Sequence, residues 1–513
     1  MTTNHKHPGD IRQSIGPSAL WALFSALLLA VLFFAAPTRS EESNGEGFVE
    51  STKLVDDIVE QLEARGDDED DEEEEEFHCE LDPNATAESL GLTPLQLPDD
   101  FFPIYSWDGP WGWGMTSEDT ELIERNRKIL RAMAECNMTM VHIPPDLVPM
   151  AREIGFRKVL ISPYADDEEE RVKMKLPRYA AGLSPKQAEI YVREMSQSTI
   201  DDPEVIGYYI LDEPSANAFE GLSNIAEAMR KITPGKLPFI NLYPNYAPPE
   251  ALMTDSYEDY LEYYVQRLKP MFLSYDNYMI ECSEEMTVPP RAVPWWTNLL
   301  ATRKVARKYG LPWWVIASSI SQLPESAPTG PSRLAMQAYT ALAAGADGIS
   351  WFLFFKYLDW DETPCDKRNH CRRSVQWGYM RTINEQIETL GVFLKKYRSS
   401  EVWFTRPAPV EGLPENPKTL IADLGYHFAD AVKDLQPMVM VGEFTAKDDE
   451  DKHAVMFVNL DRARNLKVEP TFVGGNKVVR CVSPMDASLS GEPDRGWWVL
   501  PGHGLLLTVE PQK

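Results

Sequence analysis

Eight apolar, strand-like runs alternate with helical segments over residues 101–355 of this 513-residue chain. Most of the runs are continuously apolar, which is typical of parallel strands that are covered on both faces. They lie at 101–107, 138–144, 157–163, 205–211, 237–244, 271–278, 312–320 and 346–355. Helical patterns lie at 117–136, 184–199, 219–232, 295–309, 332–344 and 378–398. This count and length predict an α/β fold of the (β/α)8 TIM-barrel type.

A doubly wound open sheet is the alternative fold with the same alternation of strands and helices. Such a sheet is expected to carry a glycine-rich turn after its first strand. Here the first run is followed by an aromatic turn, Ser106-Trp-Asp-Gly-Pro-Trp-Gly-Trp113. The turn therefore favours the barrel.

The residues beyond 403 follow a different pattern, with short apolar runs divided by Gly, Pro, Asn and Asp. Such runs predict a small antiparallel β-sandwich of about a hundred residues. They lie at 453–460, 477–482, 497–500 and 504–509. The predicted domains are a targeting segment, an acidic linker, a TIM barrel and a β-sandwich, at residues 1–40, 41–98, 99–402 and 403–513.

The N-terminus carries an uncharged apolar segment, residues 19–36, which Lys6 and Arg12 precede. Its length suits either a cleavable signal peptide or an anchor that attaches the protein to a membrane. In both cases we expect the folded domains outside the cytoplasm, whether secreted, periplasmic or anchored. The linker contains ten consecutive acids, Asp67–Glu76, and is predicted to be disordered because its charges repel one another.

Acidic residues outnumber basic ones by 80 to 50, which gives a net charge of −30. The balance stays acidic without the ten-acid block, which argues against nucleic acid as a partner. In an exported chain disulfides are permitted, and the spacing of Cys365 and Cys371 predicts a bond within one loop. A metal site at Cys365, His370 and Cys371 is the alternative, but it lacks a second ligand pair. We therefore expect neither a metal nor another cofactor.

The fourth run, Val205-Ile-Gly-Tyr-Tyr-Ile-Leu-Asp-Glu-Pro214, ends abruptly in two carboxylates and a proline. Proline cannot donate to a sheet ladder, so the strand should stop there. Asp212 and Glu213 then lie at the carboxyl end of the strand, where barrels place their active sites. The alternative is that Asp212 caps the following helix and that Glu213 is a solvated loop charge.

The other predicted strand ends are rich in aromatic, amide and acidic residues. They carry Trp107, Asp108, Trp111, His142, Asn241, Tyr243, Tyr275, Asp276, Tyr278 and Trp351. Aromatic faces stack on sugar rings, and amides and carboxylates bind sugar hydroxyls. These residues are therefore candidates for binding a carbohydrate substrate, although some of the tryptophans could instead fill the domain interface.

With these motifs the chain resembles the (β/α)8 glycoside hydrolases, in particular the clan of β-galactosidases and endoglucanases. In that clan strand 4 ends in Asn-Glu, often followed by Pro, and the Glu is the acid/base; here the motif reads Asp212-Glu213-Pro214. The clan's nucleophile is a Glu at the end of strand 7. Here that strand reads Val315-Ile-Ala-Ser-Ser-Ile-Ser321, and the next carboxylate is Glu325. The chain departs from the family pattern at this strand.

Strand 6 offers another carboxylate, because Ser274-Tyr275-Asp276 is similar to the Tyr-Asp pair of chitinase-like barrels. The Asp-Glu pair on strand 4 is also similar to that of hexosaminidases, in which the substrate's acetamido group is the nucleophile. The resemblance implies a glycoside hydrolase with Glu213 as general acid, Asp276 as second carboxylate and Asp212 as orienting group. Side chains alternate along a strand, so only one of Asp212 and Glu213 should face the mouth unless the strand twists.

Two alternatives to this function stay open. One is a catalytically inactive carbohydrate-binding or structural surface protein on the same scaffold, which the missing strand 7 carboxylate favours. The other is a barrel enzyme with a different chemistry.

Overall fold

The computed structural model of the chain describes residues 77–110, 116–163, 183–280, 293–320, 329–354, 363–366, 371–429, 435–474 and 477–512. The predicted targeting segment, the ten-acid block, Trp111 and Glu325 lie outside these ranges. No helix within them is long and apolar enough to cross a membrane.

Eight strands form the predicted barrel within the described ranges. They are β1 (Ile104–Ser106), β2 (Met140–Ile143), β3 (Lys158–Ile161), β4 (Val205–Asp212), β5 (Leu237–Asn241), β6 (Leu273–Asp276), β7 (Trp313–Ser318) and β8 (Gly348–Phe352). Each lies inside or within one residue of its predicted run, and the pairings between them are parallel. The TIM-barrel prediction is confirmed.

Helices connect the strands and cover the outside of the barrel. They are α1 (Ala87–Leu90), α2 (Thr120–Glu135), α3 (Val148–Ile154), α4 (Pro185–Ser196), α5 (Phe219–Ile232), α6 (Pro249–Leu252), α7 (Tyr257–Leu268), α8 (Val293–Tyr309), α9 (Pro331–Ala343) and α10 (Val375–Leu394). The six predicted helices all occur. The sequence prediction missed the short helices α1, α3 and α6 and the longer α7, although α7 presents a buried apolar face.

The barrel closes from two four-stranded sheets, with the orders β1-β8-β7-β6 and β2-β3-β4-β5. At the seam between β5 and β6 the regular ladder is reduced to a bridge between Leu242 and Tyr275. At the other seam Thr139 N–H donates to the Ile104 carbonyl at 2.9 Å. Bonds outside the regular ladders therefore contribute to closing both seams.

The barrel interior is filled by inward-facing aromatic and aliphatic side chains. Its buried cluster comprises Phe101, Tyr105, Met140, Leu160, Ile206, Leu237, Phe239, Phe272 and Trp314. The opposite faces of the strands pack against the helices in a separate, larger cluster. This two-sided burial is the physical reason for the continuous apolar runs in the sequence.

Residues 77–98, which the sequence assigns to the acidic linker, are ordered and pack against the barrel. Phe77 contacts the ring of Tyr263 on α7, and Leu95 N–H donates to the Met271 carbonyl at 2.8 Å. Leu97 packs against the interior cluster. The prediction of a disordered linker is wrong for residues 77–98. Their apolar side chains, such as those of Phe77 and Leu97, pack against the barrel instead of staying in solvent.

The C-terminal region is the predicted antiparallel sandwich. Its strands are β11 (Tyr397–Phe404), β12 (Ile421–Phe428), β13 (Val439–Ala446), β14 (His453–Asn459), β15 (Leu466–Phe472), β16 (Lys477–Val482), β17 (Leu489–Ser490), β18 (Trp497–Val499) and β19 (Gly504–Pro511). They form two sheets of orders β11-β13-β14-β19-β16-β17 and β12-β15-β18. Because β11 begins at Tyr397, the sandwich starts earlier than the predicted boundary at residue 403.

A short hairpin follows β8 and carries the predicted disulfide. It consists of β9 (Cys365–Asp366) and β10 (Arg372–Arg373). Cys365 and Cys371 are bonded, with their Cα atoms 4.7 Å apart, within the range usual for disulfides. His370, the third member of the alternative metal site, lies outside the described residues.

Two glycines of α10 are predicted to respond in opposite directions to alanine. A Cβ at Gly391 would overlap the ring of Phe102, which is buried at 2% exposure, whereas a Cβ at Gly378 would meet nothing within 4 Å. Gly391→Ala should destabilise the protein by about 1–3 kcal/mol through overpacking. Gly378→Ala should stabilise it by roughly 0.5–1 kcal/mol through helix propensity. Urea unfolding of both variants checks the prediction, and equal shifts would contradict it.

Candidate active site

The fourth strand brings two neighbouring carboxylates to the mouth of the barrel. Asp212 ends β4 and pairs with Asn241 of β5. Glu213 follows in a left-handed conformation, with φ of 45°, and its N–H donates to the Asn241 carbonyl at 2.8 Å. This conformation costs a non-glycine residue roughly 1–3 kcal/mol. The bend lets both side chains reach the mouth, where regular alternation would separate them.

Glu213 and Asp276 form a hydrogen-bonded carboxyl pair. Asp276 ends β6 and is only 4% exposed, and Glu213 is half-buried. Glu213 donates and Asp276 accepts. Two carboxyl groups can make such a bond only while one of them holds a proton. The structure thus brings together the two acids that the sequence analysis placed at the ends of strands 4 and 6.

Asn241 connects the acids of the neighbouring strands. Its Nδ2 donates to Asp276 Oδ1 at 2.8 Å and to Asp212 Oδ1 at 3.1 Å. The Ser274 hydroxyl donates to Asn241 Oδ1 at 2.9 Å and so fixes the orientation of the amide. Ser274 was missed from the sequence, although it precedes Asp276 by two residues and must face the same side of β6.

The pKa shifts of Glu213 and Asp276 indicate which of the two carboxyl groups holds the shared proton. Burial raises the pKa of Glu213 well above its usual range, and the charges of Asp276 and Asp212 raise it further. Burial also raises the pKa of Asp276, but hydrogen bonds from Asn241, Glu213 and Tyr278 oppose that rise. The shared proton therefore resides on Glu213, and Asp276 is its ionised partner.

Asp212 is the more exposed of the three acids. Burial, and then the charge of Asp276, raise the pKa of Asp212, while the Asn241 amide lowers it. Its side chain nevertheless keeps contact with solvent by surface area, and water screens a charge that it can reach. Burial therefore acts less strongly on Asp212 than on Glu213 and Asp276.

Two predicted tyrosines flank the carboxyl group cluster. Tyr278 hydrogen-bonds Asp276 and stacks on Phe352, with 5.1 Å between the ring centroids. Tyr243 is buried at 8% exposure, and its pKa is raised first by burial and then by Glu213, Asp212 and Asp276. Both tyrosines belong to the same site as the acids.

An aromatic wall lines another part of the mouth and comprises Trp107, His142 and Tyr209. The ring centroids of Trp107 and Tyr209 are 5.2 Å apart, and those of His142 and Tyr209 are 5.3 Å apart. Trp107 and His142 were predicted from the sequence. Tyr209, which packs against the interior cluster, was not, because an aromatic inside a strand run gives no sign of facing the barrel interior rather than the helices.

Three of the predicted binding residues have other partners. Asp108 is buried and accepts hydrogen bonds from Phe354 N–H at 2.8 Å and from the Ser106 hydroxyl. These bonds tie the end of β1 to the segment after β8, which is a structural role. Asp108 is therefore better explained as a loop anchor than as a sugar ligand.

Tyr275 and Trp351 face the helices rather than the mouth. Tyr275 is 1% exposed and stacks on Trp313, because Asp276 beside it takes the inward position. Trp351 is also 1% exposed, and its Nε1–H donates to Asn384 of α10 at 2.8 Å. Neither ring is accessible to a sugar, so their assignment to substrate binding is not supported. Trp111 lies outside the described residues.

The end of β7 carries hydroxyl groups in place of a carboxylate. Ser318 Oγ donates to the Ile320 carbonyl at 2.8 Å, and Ser319 donates to the Leu353 carbonyl. In the described part of this strand end, residues 313–320, no carboxylate is present. Any second acid of the described site must therefore come from another strand.

A separate cavity lies at the other end of the barrel. It has a volume of about 510 Å³ and is lined by residues such as Pro312 and Asp347, which directly precede β7 and β8. None of the three acids lines it. Within the described ranges no group of three or more His, Cys, Asp or Glu residues could hold a metal ion. The carboxyl cluster is therefore the better candidate site.

No protein-family model matches the chain, and no curated protein matches it in sequence. Among solved structures, a family 5 glycoside hydrolase from Bacteroides vulgatus is 13% identical, with a TM-score of 0.47, over 83% of this chain and 95% of that one. Another glycoside hydrolase is 11% identical, with a TM-score of 0.45, over 83% and 98%. A family 42 β-galactosidase from G. stearothermophilus is 10% identical, with a TM-score of 0.44, over 59% and 58%. Similarity this low carries no conclusion about activity.

The raised pKa of Glu213 predicts a pH-dependent stability. In the unfolded chain this group loses its proton near its ordinary pKa of 4.5, whereas the folded protein retains it to a much higher pH. The folded state binds more protons in this interval, so the free energy of unfolding should fall as the pH rises, by up to about 1.4 kcal/mol per pH unit.

Glu213→Gln should remove this contribution, so its stability advantage over the native chain should grow with pH above 4.5. Urea unfolding across that pH range measures the difference. Glu250→Gln, at an exposed acid of α6, controls for the loss of one negative charge. Parallel pH profiles for Glu213→Gln and the native chain would contradict the assignment.

Proposed function

We propose that the protein is a glycoside hydrolase in which Glu213 is the general acid and Asp276 is the second carboxylate. The observation that carries the proposal is the pairing of the Glu213 and Asp276 carboxyl groups at the carboxyl ends of β4 and β6, where burial raises the pKa of Glu213 and hydrogen bonds oppose the rise in the pKa of Asp276. Two-carboxylate glycoside hydrolysis needs one acid protonated and the other ionised on either side of the scissile bond. Asn241 supports this division by donating to Asp276 and Asp212.

A direct contact between the Glu213 and Asp276 carboxyl groups leaves no water between them, and we propose a retaining reaction on this ground. Inverting enzymes hold a water between carboxyl groups about 6.5–9.5 Å apart, whereas retaining enzymes have a separation of about 5–5.5 Å. The glycosidic oxygen takes the place of Asp276 as the partner of the Glu213 proton. As the C–O bond breaks, Glu213 transfers the proton to the leaving oxygen and an Asp276 oxygen bonds to the anomeric carbon. Water then attacks that carbon, gives a proton to Glu213 and releases Asp276.

A carbohydrate-binding protein without turnover is the second candidate function. The hydroxyl groups at the end of β7, where the resembling clan carries its nucleophile, favour it. Such a protein would bind sugars at the same mouth and would not need the Glu213 proton. Turnover measurements on substitutions of the two acids therefore separate the two candidates.

Glu213→Gln is expected to lower kcat by roughly 10²–10⁴-fold on substrates with poor leaving groups. The loss should be much smaller on dinitrophenyl glycosides, because a good leaving group departs without protonation. Initial rates on a panel of aryl glycosides and oligosaccharides measure the effect. Glu250→Gln, which changes an exposed acid, is the matched control and should retain full activity. A loss independent of the leaving group would remove Glu213 from the role of acid.

Asp276→Asn is expected to lower the rate on all substrates, including those with activated leaving groups. The reason is that the Asp276 carboxylate stabilises or attacks the anomeric carbon whatever group leaves. Near-native turnover by this variant only on 2-acetamido glycosides would instead assign the nucleophile to the substrate's acetamido group. Sugar binding without any turnover by the native protein would support the second candidate.

A further inference from the structure

His142 of the aromatic wall has a tautomer that its surroundings determine. Its Nδ1 lies 2.9 Å from the carbonyl oxygen of Trp107. A carbonyl can only accept, so Nδ1 carries the proton and donates it. Nε2 is then the atom with the free lone pair, and it can only accept a hydrogen bond as long as the ring is neutral.

The Nε2 atom of His142 is buried without a hydrogen-bond partner, and the residue is 8% exposed. Burial lowers the pKa of His142 to about 4, with only the bond to Trp107 opposing it. The ring is therefore neutral at ordinary pH. Buried polar atoms in native proteins almost always have hydrogen-bond partners. The unpaired Nε2 of His142 near the mouth of the barrel therefore needs an explanation.

The surroundings of Nε2 suit a sugar better than a charged ligand. The rings of Trp107 and Tyr209 lie beside His142, with centroid distances of 6.0 Å and 5.3 Å. Trp107 is half-buried and keeps part of its surface available.

The acids of the mouth also discriminate by charge. The charge of Asp276 raises the pKa of both Asp212 and Glu213, so the acids of the mouth carry negative charge. An anionic sugar would therefore be repelled by the negative charge of these acids. A neutral sugar would meet no such repulsion.

We propose that Trp107, His142 and Tyr209 form a subsite for a neutral sugar, in which His142 Nε2 accepts a hydrogen bond from a sugar hydroxyl. The inference rests on the proposed function only in taking a sugar as the ligand. It adds the class of sugar, neutral rather than anionic, and the direction of one hydrogen bond. Trp107 contributes its face to the ring, and its carbonyl sets the tautomer that makes Nε2 an acceptor.

The test is NMR of the full protein labelled with 15N-histidine. The probes are the methyl glycosides of glucose, galactose and mannose, with glucuronic acid as the anionic counterpart. The free protein should show an unprotonated Nε2 at His142. At least one neutral glycoside should shift that resonance in a saturable way, and glucuronic acid should leave it unchanged.

His142→Phe keeps an aromatic ring in the wall and removes the acceptor. It should weaken binding of the responding glycoside at least tenfold by calorimetry. His503→Ala is the matched control: His503 Nδ1 lies 2.8 Å from the Pro501 carbonyl, but the residue is in the sandwich. This variant should bind the glycoside as the native protein does.

The inference is overturned if none of the three glycosides shifts the His142 resonance, if glucuronic acid shifts it equally, or if His142→Phe binds the glycoside unchanged. The NMR arm uses the native chain, so it stays decisive if His142→Phe does not fold. Binding is measured without turnover. If the protein binds the glycoside but hydrolyses nothing, the subsite proposal stands and the proposed function fails. If the protein hydrolyses glycosides but none of the three glycosides shifts the His142 resonance, only the subsite proposal fails.

Discussion

The hydrogen bonds of Asn241 are the interactions on which the proposed site depends most. Its backbone carbonyl accepts from Glu213, its amide donates to Asp212 and Asp276, and its amide oxygen accepts from Ser274. These bonds connect β4, β5 and β6 at a place where the ladder between β5 and β6 is reduced to one bridge. The residue thus takes part in closing the barrel and in arranging its acids. A single buried amide can do both because it offers donors and an acceptor in fixed directions.

The site concentrates features that lower stability. Glu213 holds a left-handed backbone, and three carboxyl groups lie close together with burial acting against their charged forms. Strain and shifted pKa values of this kind cluster at functional sites, because a merely structural position would be expected to lose them. The neighbouring hydrogen bonds from Asn241 and Tyr278 act in the opposite direction on Asp276. The balance leaves one proton on the pair, which is the protonation state that acid catalysis uses.

The sandwich supports the barrel at a distance from these acids. Gly442 of β13 lies so close to Ala343 at the end of α9 that a Cβ there would overlap the Ala343 carbonyl. Arg303 of α8 donates to Ser399 Oγ at 3.2 Å and to the Ser400 carbonyl at 3.0 Å. Helix α9 in turn holds the end of β7, because Gln337 accepts from Ser318 N–H at 2.8 Å. The second domain therefore braces the helix layer behind the strand that lacks the expected carboxylate.

The sequence by itself determined the architecture and most residues of the candidate site. Continuous apolar runs can be buried only between two layers, so eight of them with helices between them specify a barrel, and the strand ends specify where polar residues gather. Asp212, Glu213, Asn241, Asp276 and Tyr278 were predicted in this way, and the structure brings them together. The tertiary structure alone decided which side chains face inward. Tyr275 and Trp351 turn to the helices, and Asp108 anchors a loop, because register and inter-strand contacts set the facing of each residue and single-strand patterns do not. The left-handed turn at Glu213 likewise depends on the bond to Asn241 of the next strand, a partner that is distant in sequence.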